Sequence, residues 1–363
     1  MKKIAILTFQ NVNNYGALLQ AYALKTVCND MGHQAHILNY YCKEIERPYR
    51  LFAKPVNAVD VIRQTAKFIL SPINLYIRSR FEPFKKKYLQ DTPLLTPDII
   101  AKMAQEYDRF IAGSDQIFNT RYTGFDSNYF LAFNKETSKN YSYAASFGLQ
   151  LEDLTSQEAA FIKEQLAHFN RISIREAQGV QIVNTLTGRQ AEIHLDPTLL
   201  LTKEQWAGLA RTPKYKNYIV LYLMDRDPQL VRFAKKLAKA KGCRLLYISH
   251  KLDIKQRVPV KHITPTPQEW LGLLLQAQCV VTNSFHGLVF AVNFNKPFFV
   301  GRLVNRKAVN SRLDNFLALT GLEQRIYTNY IPEQEAPIDW SAVHAKIAQA
   351  RKSSLAYLQE ITQ

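Results

Sequence analysis

Apolar residues in this chain fall into short runs, and the stretches between them are amphipathic with a helical period. That pattern predicts strands alternating with helices. Residues 3–9 read as a first strand, and a helix follows from about 15 to 31. Leu18, Ala21, Tyr22, Cys28 and Met31 form its apolar face, and Gly32 is a natural stop. Further strands are predicted at 36–40, 109–112, 141–146, 172–175 and 192–195, with helices at 155–169 and 176–184. After a linker near 202–217 the pattern repeats. Strands fit 218–224, 244–249, 279–282 and 298–301, and helices fit 229–240, 267–276 and 285–294. A last helix, about 340–360, closes the chain. Such alternation implies an α/β protein with mostly parallel sheets covered on both faces.

Length changes the picture first. A chain of 363 residues exceeds one ordinary core, so two domains are expected. Hydrophobic residues at 47% and charged residues at 21% fit a soluble globular protein. No apolar run reaches the roughly eighteen residues of a membrane helix. The start, Met1 to Thr8, reads as a strand and not as a signal peptide. Cys28, Cys42, Cys243 and Cys279 are scattered, which fits a reducing cytoplasm and argues against a disulfide framework or a zinc site.

The net charge is +17, from 47 basic and 30 acidic residues. That surplus favours anionic partners without choosing among them. Part of it lies in residues 43–90. There Lys43, Arg47, Arg50, Lys54, Arg63, Lys67, Arg78, Arg80, Lys85, Lys86 and Lys87 oppose only Glu44, Glu46, Asp60 and Glu82, with aromatics interleaved. Such a segment suits peripheral contact with an anionic membrane, or it is a helical excursion with a solvated basic face. No nucleic-acid module is recognisable, so nucleic acid is not expected as a partner.

Four predicted strands end in polar loops, where a doubly wound fold gathers its ligand groups. After the first come Asn14, Tyr15 and Gly16, either a capped turn or acceptor contacts. After 109–112 come Gly113, Ser114, Asp115, Gln116 and, further on, Asn119. Asp115 suits a general base or a helix cap, and Gln116 and Asn119 suit substrate orientation. After 172–175, Arg175 offers a fork for carboxylate or phosphate, or else a surface pair with Glu176. After 279–282, Ser284 caps a helix whose first turn carries His286 and Gly287, a placement suited to an anion and to proton transfer. Two features read as structural. Asp225-Arg226-Asp227 has a metal-binding form but also fits a helix-start turn, and His194 precedes Asp196-Pro197. No metal site is expected, and dinucleotide, P-loop, hydrolase-elbow and zincin motifs are absent from the sequence.

Taken together, these loops resemble the polysaccharide pyruvyl transferase family. The matching pieces are ILTFQNVNNYGALLQAYAL from Ile4, FIAGSDQIFN from Phe110, YSYAASFG from Tyr141, SIRE from Ser173, LDPTLL from Leu195 and TNSFHGLVFAVNFNKPF from Thr282. Asn310-Ser311-Arg312 and Arg325 look like the family's C-terminal arginine region. The resemblance implies two Rossmann-like domains facing a cleft, similar to GT-B glycosyltransferases. It implies an acceptor-side domain over 1–205, a donor-side domain over 213–335 and a helix at 338–363 packed across the junction. It also implies transfer of the pyruvyl unit of phosphoenolpyruvate to a sugar or lipid-linked oligosaccharide, forming a ketal, with no other cofactor. His286 and Asp115 would be catalytic. Arg175, Ser284, Gly287 and Arg312 would hold the donor, and Asn14, Tyr15, Gly16, Ser114, Gln116 and Asn119 the acceptor. One departure stands out: Ser284 occupies a position where family members carry an arginine. Two other readings stay open, a GT-B glycosyltransferase using a nucleotide sugar and a non-catalytic protein of glycan assembly.

Overall fold

The structure is a computed structural model of the chain, described here for residues 1–46, 71–249, 261–303, 307–327 and 336–363. In the first half, β1 (Lys3–Leu7), β2 (Gln34–Ile37), β3 (Arg109–Ala112) and β4 (Asn140–Ser142) form a parallel sheet in the order β2-β1-β3-β4. Two short strands, β5 (Ser173–Ile174) and β6 (Glu192–Ile193), pair in parallel. Bridges Tyr141–Arg171 and Ala145–Ile174 attach them to the β4 edge. In the second half, β7 (Tyr218–Tyr222), β8 (Arg244–Ile248), β9 (Lys261–Ile263), β10 (Cys279–Thr282) and β11 (Phe298–Val300) form a parallel sheet ordered β11-β10-β7-β8-β9. The fold is therefore α/β with two Rossmann-like halves. Every strand within a sheet ends on the same side, which collects the polar loops.

Local chemistry sets the helix starts. Asn14 caps the Tyr15–Asp30 helix by accepting from the Ala17 amide at 3.3 Å. Gly32, at φ +84°, ends it. The Phe285–Asn293 helix is buried along its whole length, as expected for a crossover helix enclosed between layers.

The two halves share one apolar core. Tyr15 lies flat against Trp270, with ring centroids 5.3 Å apart and 11° between planes, and its hydroxyl donates to the Pro265 carbonyl at 2.9 Å. Trp206 packs edge-on to Phe290 at 4.9 Å, and the Asn293 amide donates to the Thr198 carbonyl at 2.9 Å. A buried apolar seam of this kind opposes the hinge motion that a polar interface would allow. The closing helix, Trp340–Thr362, touches both halves. His344 reaches Asn295, while the Tyr357 hydroxyl donates to the Ser142 carbonyl at 2.9 Å.

The sequence pattern misses several elements. The predicted linker holds a helix, Lys203–Leu209, with a Thr202/Gln205 capping box and a buried Trp206. Its seven residues are too few to show a period. β9 is only three residues long, and the Lys307–Thr320 helix was not expected. Of the basic segment, residues 47–70 lie outside the described ones, while Ser71–Tyr88 is a helix. Among the described residues no helix is long and apolar enough to cross a membrane.

His194 is buried where the closing helix docks. Its Nδ1 lies 2.9 Å from the Ser173 hydroxyl, and its ring sits 4.4 Å from that of Tyr357. Burial pushes its pKa down to about 4 from 6.5. The unfolded chain thus takes up a proton that the folded one refuses. This stabilisation is complete above about pH 6.5 and is lost as pH falls toward 4, by at most ~1.4 kcal/mol per pH unit. Melting curves from pH 7 to 4.5 should show a steeper loss for the wild type than for His194→Gln. Parallel profiles would exclude His194 as the cause.

Candidate active site

A cavity of about 540 Å³ opens where the strand ends of the two halves meet. Asn14, Asp115 and Gln116 line it from the first half, and Ser284, His286 and Arg312 from the second.

The His286 turn is latched to its own sheet. Thr282 Oγ1 donates to the Tyr222 carbonyl at 2.6 Å and accepts from the Ser284 amide at 3.0 Å. Asn283 accepts from the Met224 amide at 2.7 Å and donates to the Asp225 carbonyl at 2.9 Å. Ser284 Oγ then caps the helix by accepting from the Gly287 amide at 3.3 Å. Gly287 is needed for packing, since a Cβ there would lie 2.4 Å from Thr282 Oγ1. Its amide is taken by the cap, so the donor contact expected of Gly287 gives way to a structural role.

From this turn the His286 ring crosses the seam and rests on the first half. A Cβ at Gly16 would fall 2.0 Å from His286 Nδ1, so glycine there leaves the ring its place. His286 Nε2 lies 3.4 Å from Asp196 Oδ2 and makes no hydrogen bond among the described residues.

Asp196 is the residue that sequence reasoning missed. Its Oδ2 also accepts from Arg175 Nη1 at 2.6 Å and from Ser114 Oγ at 3.3 Å. Its Oδ1 accepts from the Thr198 amide at 3.0 Å and hydroxyl at 2.6 Å. Burial alone would raise its pKa, but His286 and Arg175 outweigh it and hold the carboxyl far below the usual range. It is a fixed anion at the end of the β6 strand. The only signal was its place in Leu195-Asp196-Pro197, beside a predicted strand end.

Arg175 is not in a surface pair with Glu176, and it does not line the cavity. It is buried behind Asp115 and over the Phe285 ring, 5.0 Å from the ring centroid. Beyond Asp196, its Nη2 lies 3.7 Å from Asp115 Oδ1 and its Nε 4.0 Å from Glu176 Oε2. Burial lowers its pKa, but Asp196, Asp115 and Glu176 outweigh that and the net shift is upward. Glu176 has its own task, with Oε1 accepting from Ser146 Oγ at 2.9 Å and the Phe147 amide at 3.0 Å.

Asp115 sits at φ +75°, a left-handed conformation uncommon for aspartate and often found at functional turns. Its carbonyl accepts from the Ile117 and Ser146 amides, both at 2.9 Å. It caps no helix. The cap of the short Thr120–Thr123 helix is Asn119, which accepts from the Arg121 amide at 3.1 Å. Asn119 is thus buried and structural, not an acceptor contact. The same correction applies to Tyr15, stacked in the seam, to Gly16, covered by the imidazole, and to Ser114, bonded to Asp196. Asn14 and Gln116 do face the cavity, and Gln116 Nε2 has no hydrogen-bond partner among the described residues.

Arg312 projects into the same cavity from the Lys307–Thr320 helix. It is buried, makes no ion pair among the described residues, and its Nε has no hydrogen-bond partner there. Burial, then the charge of Arg175, pulls its pKa down. A buried cation without a counter-ion is costly and marks a place for an anion. Arg302, by contrast, is half exposed and paired with Asp314 at 2.9 Å. Asp227 caps the Pro228–Ala240 helix, and no group of three or more potential metal ligands occurs among the described residues.

A family model described as polysaccharide pyruvyl transferase matches residues 14–300. A search of curated proteins found no match. Among solved structures, the UDP-GlcNAc 2-epimerase of Methanocaldococcus jannaschii is similar at 13% identity and a TM-score of 0.49, covering 100% of this chain and 99% of that one. The UDP-GlcNAc 2-epimerase of Neisseria meningitidis is similar at 10% identity and 0.45, covering 97% and 100%. The glycosyltransferase SnogD of Streptomyces nogalater follows at 10% and 0.43, covering 98% and 95%.

Two substitutions test the geometry. Arg175→Met should cost about 3–5 kcal/mol in denaturant unfolding, because it strips buried Asp196 of its guanidinium partner. Arg175→Met with Asp196→Leu should recover part of that loss, and a single-variant cost below about 1 kcal/mol would show that the pair is not the anchor. Gly16→Ala should displace the imidazole and destabilise by about 1–3 kcal/mol. An unchanged melt would disprove the contact.

Proposed function

This chain belongs to the polysaccharide pyruvyl transferase family, and from that premise we propose that it moves the pyruvyl unit of phosphoenolpyruvate onto a sugar. The product is a pyruvate ketal, and phosphate is released. The observation that carries this reading is Arg312, a buried cation without a carboxylate partner among the described residues, in the same cavity as His286. Phosphoenolpyruvate brings a phosphate and a carboxylate on the same carbon, and such a guest would supply the missing negative charge.

The chemistry follows from the residues. His286 gives a proton to the methylene carbon of the donor, which becomes a methyl group. The neighbouring carbon, now oxocarbenium-like, bonds to a sugar hydroxyl oxygen. Its bond to the phosphate oxygen breaks, and a second hydroxyl closes the ketal. One hydroxyl proton replaces the one given to carbon, and the other leaves with phosphate. Asp115, at the strand end, accepts a hydroxyl proton. Asp196 acts through His286, since a fixed carboxylate 3.4 Å from Nε2 orients the ring. Arg175 holds Asp196 and Asp115 in place. Arg312 takes over the anion contact for which Ser284, now a helix cap, has no charge.

Ligand stabilisation tests the donor, because selective binding to the folded state raises the melting temperature. Phosphoenolpyruvate should stabilise the wild type, and Arg312→Ala should abolish the effect. Stabilisation by nucleotide sugars but not by phosphoenolpyruvate would replace this reading with glycosyl transfer. With a competent acceptor, His286→Ala should lower phosphate release by ~100- to 10,000-fold in a protein that still folds, as its circular dichroism would show. Near-wild-type turnover would remove His286 from the mechanism.

A further inference from the structure

The Ser71–Tyr88 helix has one face that the fold uses and one that it does not. Ile77, Phe81 and Phe84 are buried, and Phe81 packs on Tyr15 at 4.8 Å between ring centroids. Arg80 turns inward to Glu269 and the Thr264 carbonyl. The first turn and the other face are open. Ile73 is 37% exposed, Leu75 49% and Tyr76 54%. These are three of the few large apolar side chains exposed among the described residues, and they crowd into one turn. A scattered exposed apolar residue is ordinary, but a cluster on a helix that is otherwise docked is not.

Further along the same helix the charges are mostly positive. Lys86 and Lys87 are exposed, and Arg78 is 58% exposed at 3.7 Å from Glu82, the only acid on the helix. Exposed Leu75 and Tyr76 toward one end of a helix face and exposed Lys86 and Lys87 toward its other end, on a chain of net charge +17, complement an anionic lipid interface lying along the helix, with the apolar groups below the headgroups and the cations among them. We propose that this helix docks the protein on an anionic lipid surface.

The placement also links that surface to the cavity. At the far end of the helix, Lys85 donates to the Asn11 carbonyl at 3.4 Å, and the next residues of that loop, Val12 and Asn14, line the cavity. Twelve residues of helix separate Ile73 from Lys85, a span of ~18 Å. Resting on the pyruvyl-transfer reading, this geometry favours a sugar acceptor carried on a lipid over a free one. The docking itself does not depend on that reading.

Co-sedimentation decides the matter. Vesicles of phosphatidylcholine alone should leave the protein in solution, and vesicles of equal parts phosphatidylcholine and phosphatidylglycerol should pull it down. Leu75→Glu with Tyr76→Ser should lose binding. Lys86→Glu with Lys87→Glu should weaken it by on the order of thirtyfold or more. All four side chains sit on the unused face, so melting temperatures should not move. No binding to anionic vesicles overturns the proposal, and so does full binding by the apolar double variant, which would leave only a diffuse charge effect. A structured RNA that competes with the vesicles at equal affinity would reassign the surface to nucleic acid. Phosphoenolpyruvate stabilisation, measured on the same variants without vesicles, keeps the donor reading separate: its absence would end pyruvyl transfer and leave the docking result standing.

Discussion

One carboxylate holds the site together. Asp196 takes a guanidinium, a serine hydroxyl, a threonine hydroxyl and a backbone amide, and its Oδ2 lies 3.4 Å from the His286 imidazole. So many favourable partners overcome the cost of burial and keep the group ionised. Because these partners come from the loops after β3, β5 and β6 and from the second half, a single side chain fixes the relative placement of all of them.

That arrangement needs a rigid frame, and the frame is apolar. Tyr15 on Trp270 and Trp206 on Phe290 press the halves together at one level. Just above, the polar strand ends cannot close on each other and leave a cavity. The division follows from the sheets themselves: parallel strands bury their middles and present their ends. The imidazole crosses this boundary only because residue 16 lacks a side chain.

The charge balance of the site is uneven by design of the fold. Three carboxylates, from Asp196, Asp115 and Glu176, surround Arg175, while Arg312 has none within ion-pair distance among the described residues. The first cation is locked among carboxylates and the second is not. Sequence alone named both as donor contacts, because the carboxylates that separate them lie in other elements.

What the sequence determined by itself was local. Periodicity placed the strands and most helices to within a few residues, since burial on one face imposes a repeat that can be read linearly. Cap chemistry placed the starts at Asn14 and Ser284, and the loops after strands marked Asp115, Gln116 and His286 as residues at strand ends. Tertiary structure decided everything that depends on residues meeting across the chain. It turned Tyr15, Gly16, Ser114, Asn119 and Gly287 into packing and capping residues, turned Arg175 inward onto Asp196, and brought Arg312 to the cavity. The reason is physical. A side chain's role depends on what lies within about 4 Å of its polar atoms, and for these residues those neighbours lie in other elements, many in the opposite half, where no local pattern records them.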